Sequence, residues 1–244
     1  MPEGPSIVLI KEDLQKFVGE KVIGTSGNAK FDKYWLNNEV LSDIKTFGKQ
    51  LYLLFDTAAV RIHLLMFGSY SIDQQTKTER SLRLMIQFET GRIFFYTCSA
   101  TIVDKTFLSE IDWEADVMSP IWNPKKAKKK LKSLPDLMIC DALLDQNIFS
   151  GVGNIIKNEV LFRIRVQPES LIRNLPAKMI DKLIVEARNY SFDFLHWKRE
   201  FVLKKHWLVH NKSICPKCGE RLIRNHLGKT KRRCFYCLKD QKLY

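Results

Sequence analysis

The first apolar pattern along the chain has a helical period. Its members are Ile7, Ile10, Leu14 and Phe17. A spacing of three or four residues places them on one face, so the chain is predicted to begin with an amphipathic helix over residues 5–18. Pro5 suits the first helical turn, where a missing N–H has no cost, and Gly19 is a stop signal.

From about residue 20 to 115 the pattern changes to short runs of β-branched and aromatic residues. The runs are LYLLF (51–55), AVRIHLLM (59–66), LRLMIQF (82–88) and RIFFY (92–96). Such runs predict strands, and glycines at positions 48, 68 and 91 separate them. The first half is therefore predicted to be β-rich, with one helix at its front.

The stretch 113–124 contains two prolines and is interpreted as a boundary. Beyond it the apolar positions follow a helical period to about residue 200, and the last 30 residues form a separate small module. The predicted fold class is α+β multidomain. The predicted domains cover residues 1–118, 119–209 and 210–244.

The chain is strongly basic, with 40 Lys and Arg against 27 Asp and Glu and a formal net charge of +13. This excess favours a polyanionic partner, although a soluble basic protein or an anionic membrane surface is also compatible with it. The lysine run at 125–132 is interpreted first as a solvated helix face, with direct contact to DNA as the alternative.

No apolar run reaches the roughly 18 residues that cross a bilayer, and the first residues lack the basic region of a signal peptide. An intracellular protein without a membrane partner is expected. Thiols stay reduced there, so the six cysteines are interpreted as metal ligands or buried thiols. Cys98 and Cys140 stand alone and are predicted to lie in the core.

The other four cysteines form two C-x-x-C pairs near the C-terminus. They are Cys215, Cys218, Cys234 and Cys237. Two such pairs on a short hairpin predict a tetrahedral four-sulfur site for one structural zinc ion, in preference to redox pairs. The surrounding module is basic and suits phosphate contact. By itself it fits a transcription factor as well as a repair enzyme.

The segment Ser150-Gly151-Val152-Gly153-Asn154 is predicted to be a turn between two helices, with Asn154 as the N-cap of the second. A glycine-rich turn before a helix offers N–H groups and a positive dipole end to a phosphate. An ordinary helical hairpin with a glycine loop explains the segment equally well.

Three motifs together resemble one family over essentially the whole chain. MPEGP stands at the start, LLDQ…SGVGN…EVLF in the middle and C-x-x-C…C-x-x-C at the end. In this order they resemble the formamidopyrimidine-DNA glycosylase/endonuclease VIII family. The resemblance implies an N-terminal catalytic β-sandwich, a helix–two-turn–helix DNA-binding domain and a zinc-finger hairpin. It also implies a monomer without a protein partner that binds damaged DNA between its domains.

The resemblance further implies excision of oxidised bases followed by β,δ-elimination, with Pro2 as the nucleophile. Once Met1 is removed, the Pro2 amine attacks the sugar C1′, and the resulting iminium ion is an electron sink for elimination. Glu3 is the expected proton shuttle. Lys49 is expected to contact the phosphate or to assist catalysis. A helix-dipole partner and a surface lysine are the plainer interpretations of Glu3 and Lys49.

Four residues are expected to contact DNA by the same resemblance. Met66 matches the family's wedge that fills the gap left by a flipped base, and the neighbouring Phe67 is expected to help. Asn154 matches the phosphate-binding asparagine. Lys229 replaces an arginine that the family carries five residues before its third cysteine, which predicts a weaker grip on the duplex.

Two departures favour the endonuclease VIII-like branch. The segment 96–101 lacks the arginine and phenylalanine that the formamidopyrimidine branch places there, and the stretch 194–206 is short for a loop that caps 8-oxoguanine. Oxidised pyrimidines are therefore the expected substrates, with 8-oxoguanine and formamidopyrimidine as the alternative. A catalytically silent damaged-DNA-binding protein of the same fold and an unrelated zinc-ribbon regulator are the competing hypotheses.

Overall fold

The computed structural model describes residues 2–244, the side chain of Lys105 excepted. It divides into two compact units, Met1–Ile111 and Asp112–Tyr244. Within the described range, no helix is both long and apolar enough to cross a membrane.

The described part of the first unit contains two α-helices and eight strands. They are α1 (Gly4–Leu14), β1 (Gly24–Ser26), β2 (Asp43–Phe47), β3 (Gln50–Leu54), β4 (Ala58–His63), β5 (Ser69–Ile72), β6 (Leu82–Gln87), β7 (Arg92–Tyr96), β8 (Ser99–Asp104) and α2 (Lys105–Glu110). The strands form two antiparallel four-stranded sheets, with the orders β1-β6-β7-β5 and β2-β3-β4-β8.

The two sheets share one core. Alternate residues of β3 and β4, such as Leu51 and Ile62, join residues of β6 and β7, such as Ile86 and Phe95, in a single buried cluster. Because a strand presents every second side chain to the same face, this arrangement defines a β-sandwich. The predicted β-rich first half is confirmed.

Helix α1 covers the edge of this core, as its apolar period predicts. The predicted face is buried, and its members are Ile7, Ile10, Leu14 and Phe17. The α-helix is shorter than predicted, since it changes to a 3-10 turn at Gln15–Phe17. Gly19 follows with a φ of 93°, a conformation that glycine adopts without steric cost. The helix packs against β2 and β3.

The second unit contains four α-helices and a two-stranded hairpin. They are α3 (Pro124–Lys132), α4 (Ile139–Ala142), α5 (Asn154–Arg163), α6 (Ala177–Arg199), β9 (Ile223–Leu227) and β10 (Arg232–Tyr236). Its main core includes Leu143, Val160 and Leu183 from the helical part together with Cys234 and Tyr236 from the hairpin. The hairpin thus lies in the same compact unit as the helices, and the predicted separate domain at 210–244 stays a prediction.

Candidate active site and metal centre

The predicted nucleophile and proton shuttle lie at the start of α1. Pro2 is half-buried, and Glu3 is only 1% exposed. The Glu3 backbone is extended, and its carbonyl accepts the N–H of Ser6 at 2.8 Å, so Glu3 is the N-cap of the helix. A carboxyl group buried at this place is more than a solvated partner of the helix dipole. Met1, whose removal is predicted, lies outside the described residues.

Lys49 occupies the tight turn between β2 and β3. Phe47 pairs with Gln50, which leaves Gly48 and Lys49 as the two turn residues. Gly48 has a φ of 57°, so the turn needs a glycine at this position. Gln50 pairs in turn with His63 at the end of β4. Burial, Lys49 and Arg61 together lower the pKa of His63, so the imidazole stays neutral beside the lysine.

The chain beyond β4 forms an apolar tip at residues 65–67. Leu64 is buried, whereas Met66 is 51% and Phe67 is 76% exposed. The tip closes through a 2.8 Å hydrogen bond from Gly68 N to the Leu64 carbonyl, and a side chain at Gly68 would collide with that carbonyl. The strand predicted over 59–66 therefore ends at His63, and the two predicted wedge residues lie in a hydrogen-bonded turn.

The connection between β7 and β8 is equally short. Thr97 and Cys98 join the two strands, and Cys98 is buried as predicted. Ser99, the first residue of β8, pairs with His63, so this connection lies beside the apolar tip. The structure thus has no side chain of arginine or phenylalanine at 97–101 that could project next to Met66.

The glycine turn of the second unit is tied together by one side chain. Gln146 accepts the N–H of Gly151 at 3.1 Å and donates to the carbonyl of Val152 at 3.1 Å. Helix α5 begins directly after this turn, with Gly153 as its N-cap. The predicted N-cap role of Asn154 is wrong, because Asn154 is the first helical residue and its Nδ2 donates to the Arg233 carbonyl at 3.0 Å.

Three side chains of α5 converge on that same Arg233 carbonyl. Lys157 Nζ lies 3.1 Å from it and Asn158 Nδ2 3.3 Å from it, beside Asn154. Lys157 is completely buried. Asn158 also accepts the N–H of Phe235 at 3.2 Å. The helix therefore holds the backbone of β10 in a fixed register, since each of these buried polar groups would be costly to leave unpaired.

Glu159 and His210 connect α5 to the chain before the hairpin. The Glu159 carboxyl accepts three backbone N–H groups, those of Leu208, Val209 and His210, at 2.7–3.0 Å. His210 Nδ1 lies 3.2 Å from Asn158 Nδ2. Because Asn158 Nδ2 is a donor, this contact requires an imidazole that is unprotonated at Nδ1. Burial, with Lys157 and Arg233 nearby, lowers the pKa of His210 to about 4.

We expect this histidine to make the stability of the protein depend on pH. The unfolded chain protonates His210 near pH 6.5, while the folded chain resists protonation until about pH 4. The folded state is thus fully stabilised above pH 6.5 and loses about 2–3 kcal/mol as the pH falls to 4. Chemical unfolding of the wild type and of His210→Asn at several pH values measures this loss. An unchanged slope in the variant would contradict the assignment.

The turn of the β9–β10 hairpin is anchored by Asp141 of α4. Its carboxylate accepts the N–H groups of Lys229 at 2.7 Å and Thr230 at 3.2 Å, and the Thr230 hydroxyl at 2.9 Å. Gly228, with a φ of 68°, approaches Asp141 so closely that a side chain would overlap the carboxylate. Lys229 is therefore held through its backbone, and its side chain is exposed.

The structure assembles a candidate metal site from three cysteines and one aspartate. Its members are Cys215, Cys218, Cys237 and Asp240, whose ligand atoms all lie within 4.8 Å of one another. The Sγ atoms of Cys218 and Cys237 are 3.5 Å apart. Two sulfurs of a tetrahedral zinc site lie about 3.8 Å apart, so the spacing and the donor types fit zinc.

The four-cysteine prediction is corrected at Cys234. Its Sγ lies 3.0 Å from Lys157 Nζ, in the helical core, and not at the metal site. The cause is the direction of the side chains along β10. Cys234 and Tyr236 lie in the helical core. Phe235 and Cys237 belong instead to the cluster that contains Cys215. Side chains of β10 alternate between faces, so Cys234 and Cys237 cannot converge on one ion.

Asp240 completes the candidate metal site through a second C-x-x-C-like turn, in which an aspartate takes the place of the second cysteine. It follows Cys237 at the same spacing that separates Cys215 from Cys218, and its N–H donates to Cys237 Sγ at 3.4 Å. Its Oδ2 lies 2.9 Å from Cys215 Sγ. Hydrogen bonds from the cysteine thiols lower the pKa of Asp240, which favours the carboxylate form that binds a metal. The repeated spacing was the available sequence signal.

With Cys237 at the candidate metal site, the position of the family's arginine falls on a different residue. Since Cys237 is the third cysteine of the candidate metal site, the residue five positions earlier is Arg232, which is exposed. The weaker grip inferred from Lys229 therefore loses its basis. Lys229 stays a predicted DNA contact through its charge alone.

Three of the six lysines in the run on α3 form ion pairs within the second unit. Lys126 forms ion pairs with Asp112 at 2.6 Å and with Glu114 at 3.0 Å, and Lys130 pairs with Asp112 at 3.0 Å. Lys128 pairs with Asp181. These ion pairs favour the plainer interpretation of a helix face for the three lysines, and direct contact of the run with DNA stays a prediction.

Two family descriptions match the chain. The formamidopyrimidine-DNA glycosylase N-terminal domain matches residues 1–101, and the formamidopyrimidine-DNA glycosylase H2TH domain matches residues 115–190. Endonuclease 8-like 3 of Mus musculus is 32% identical over 227 residues, which cover 88% of this chain and 37% of the relative. Endonuclease 8-like 2 of Bos taurus is 25% identical over 311 residues, which cover 93% of this chain and 91% of the relative.

Solved structures agree with these matches. A viral DNA glycosylase superposes with a TM-score of 0.85 at 21% identity, covering 98% of this chain and 100% of that one. Lactococcus lactis Fpg in complex with DNA containing an abasic site has a TM-score of 0.85 at 20% identity, with 98% and 99% covered.

The fold and the matched domains are those of the Fpg type. This chain belongs to the formamidopyrimidine-DNA glycosylase/endonuclease VIII family, and both named relatives are endonuclease 8-like, in agreement with the predicted branch. The chain spans little more than a third of the length of the Endonuclease 8-like 3 proteins that it matches.

Proposed function

We propose that this protein is a base-excision-repair DNA glycosylase with AP lyase activity that acts on oxidised bases. The observation that carries the proposal is the start of α1, where a half-buried Pro2 precedes a Glu3 that is 1% exposed. A buried acid beside a potential terminal amine supplies the two groups that glycosidic cleavage and elimination require.

The proposed chemistry uses the Pro2 nitrogen as a secondary amine. Its lone pair attacks the sugar C1′, the bond from C1′ to the base breaks, and the base leaves with a proton. Opening of the sugar ring gives an iminium ion between Pro2 and C1′. Loss of a proton from C2′ then expels the 3′ phosphate, and a second elimination expels the 5′ phosphate. Water finally hydrolyses the iminium and releases the amine.

Glu3 and Lys49 have complementary roles in this scheme. The Glu3 carboxyl moves protons to and from the sugar ring oxygen and C2′. Lys49, presented by the turn before β3, neutralises the charge of a phosphate next to the reacting sugar. His63, which the structure keeps neutral beside Lys49, adds no charge that would compete with this contact.

The proposed DNA contacts come from both units. Met66 and Phe67 replace a flipped nucleotide in the stack, because a target base inside a duplex must leave it to react. In the second unit, one Nδ2 hydrogen of Asn154 is used by the Arg233 carbonyl, and the second is proposed to donate to a phosphate. Arg232 and Lys229 on the hairpin are proposed to contact the DNA backbone.

Truncation of the apolar tip is predicted to impair excision from duplex DNA. Met66→Ala and Phe67→Ala should each lower the rate about tenfold or more, since unstacking costs a few kcal/mol per base step. Thermal stability should change little because both side chains are exposed. Single-turnover excision on duplex and single-stranded substrates measures the effect. Val185→Ala, an exposed apolar truncation on α6, is the control. An equal loss on single strands would contradict the wedge role.

The metal site is proposed to hold one structural zinc ion, with Cys215, Cys218, Cys237 and Asp240 as ligands. Four protein ligands leave no open position, so the ion is proposed to stabilise the fold and to take no part in the reaction. It would hold the two ends of the hairpin module together and thereby support the DNA contacts of β10.

Oxidised pyrimidines are proposed as the preferred substrates. The short connection at 97–98 supports this preference, because it lacks the projecting side chains of the formamidopyrimidine branch. We further propose that the protein acts as a monomer on damaged DNA inside the cell. Incubation with thymine glycol, 8-oxoguanine and abasic-site oligonucleotides, followed by borohydride reduction, tests the proposal. Excision without a covalent adduct would contradict the lyase, and binding without excision would indicate a silent damage-binding protein.

A further inference from the structure

Phe201 is the most exposed large apolar residue of the described chain. It is 95% exposed and makes no aromatic or cation–π contact within the described range. It also has a φ of 58°, in the left-handed region that bulky residues rarely adopt. The ring therefore contributes no burial that would stabilise the fold, and the backbone that carries it is strained.

The strain arises because Phe201 stands where a helix usually ends in glycine. Its N–H donates to the Lys198 carbonyl at 3.1 Å, and the next N–H, that of Val202, donates to the Trp197 carbonyl at 2.9 Å. This pair of bonds is the Schellman motif, whose left-handed position favours glycine. A glycine would close α6 with less strain, so stability does not explain the phenylalanine.

The segment around Phe201 is held firmly on both sides. Trp197 stacks on His206 with ring centroids 4.2 Å apart and planes 3° from parallel. Leu203 packs against the main core of the second unit. Phe201 is thus presented by an ordered turn, and a ligand would meet it with little loss of conformational entropy.

The surroundings of Phe201 are basic. Lys198, Arg199, Lys204 and Lys205 lie within four residues of it, and the last two are exposed. Glu200 is the single acid of the segment, and its Oε1 lies 3.4 Å from His196 Nε2. An exposed aromatic ring among cations suits a ligand with a flat apolar face and negative charges, which describes a nucleotide.

We propose that Phe201 stacks on an unpaired nucleobase while the neighbouring lysines contact its phosphates. The inference rests on the proposed function, since it assumes a DNA ligand. The unpaired base has two sources, a nucleotide extruded from a duplex and a nucleotide of a single strand. A paired base inside a duplex offers no free face, so Phe201 favours DNA in which a base has left the stack.

Binding measurements with three DNAs test this assignment. The probes are a single-stranded oligonucleotide, a duplex with one thymine glycol and the same duplex undamaged, and the variants are Phe201→Gly, Phe201→Leu and Phe201→Tyr. Phe201→Gly should weaken binding to the single strand, to the thymine glycol duplex or to both by about tenfold or more. Binding to the undamaged duplex should weaken by less than about twofold. Tyrosine should restore binding, and leucine should not. Loss of binding to the single strand would identify a base of single-stranded DNA as the ligand, and loss of binding to the thymine glycol duplex would identify an extruded base.

The melting temperature separates this effect from a folding defect. Phe201→Gly should melt at the same temperature as the wild type or higher, because glycine relieves the left-handed strain. Equal binding of wild type and Phe201→Gly on all three DNAs would overturn the proposal, as would rescue by leucine or an equal loss on the undamaged duplex. Failure of the wild type to bind any of the DNAs would instead overturn the proposed function itself.

Discussion

Borohydride should trap the protein on abasic-site DNA only when the Pro2 nitrogen is the free chain terminus. A removable N-terminal tag, whose cleavage leaves Pro2 first, permits the comparison on one preparation. With the tag attached, Pro2 is an amide whose lone pair is delocalised into the carbonyl, so it cannot attack C1′. Trapping should be at background before cleavage and strong afterwards, as measured by the shift of labelled DNA on a denaturing gel.

Two controls make this result specific. Equal affinity for a non-cleavable abasic analogue before and after tag removal would show that the tag does not block DNA binding. Glu3→Gln, which keeps the size of the side chain but not its acid–base function, should slow elimination by about 10²–10⁴-fold. Strong trapping of the tagged protein would show that another amine is the nucleophile, and Lys49 would be the first candidate to test.

The second large effect concerns the metal site. Cys237→Ser and Asp240→Ala should each lose the zinc on dialysis against a mild chelator, because a structural site stabilises its fold by about 10–16 kcal/mol only when its ligand set is complete. Cys234→Ser should retain about one zinc per chain, since the Cys234 thiol contacts Lys157 and not the site. Metal content by atomic emission and the melting temperature are the measurements.

The serine variants at positions 234 and 237 are matched, because both replace a buried thiol by a hydroxyl. Cys234 lies in β10, and Cys237 directly follows it. Cys234→Ser should still destabilise the protein by about 1–3 kcal/mol, since it disturbs the buried contact with Lys157. Loss of zinc from Cys234→Ser with retention in Asp240→Ala would restore the four-cysteine site and refute the arrangement found here.

Local sequence patterns predicted the elements in which the spacing of apolar residues is strong and regular. The α1 face could be predicted because four apolar residues repeat at a helical spacing, and β6 and β7 because their runs are long and strongly apolar. Among the strands of the first unit, β1, β2, β5 and β8 were not predicted. Their residues are mostly half-buried, and they become strands through pairing with neighbouring strands, which for β1, β5 and β8 are distant in sequence.

The sequence by itself determined the family, the order of the two matched domains and the identity of Pro2, Glu3, Lys49 and Met66 as candidates, because these depend on local motifs. Only the tertiary structure decided which four residues surround the metal site. The faces of β10 are set by its pairing with β9 and by the α5 side chains that hold the Arg233 carbonyl. That register turns Cys234 toward Lys157 and leaves Asp240 to complete the site, a choice that cysteine spacing does not contain.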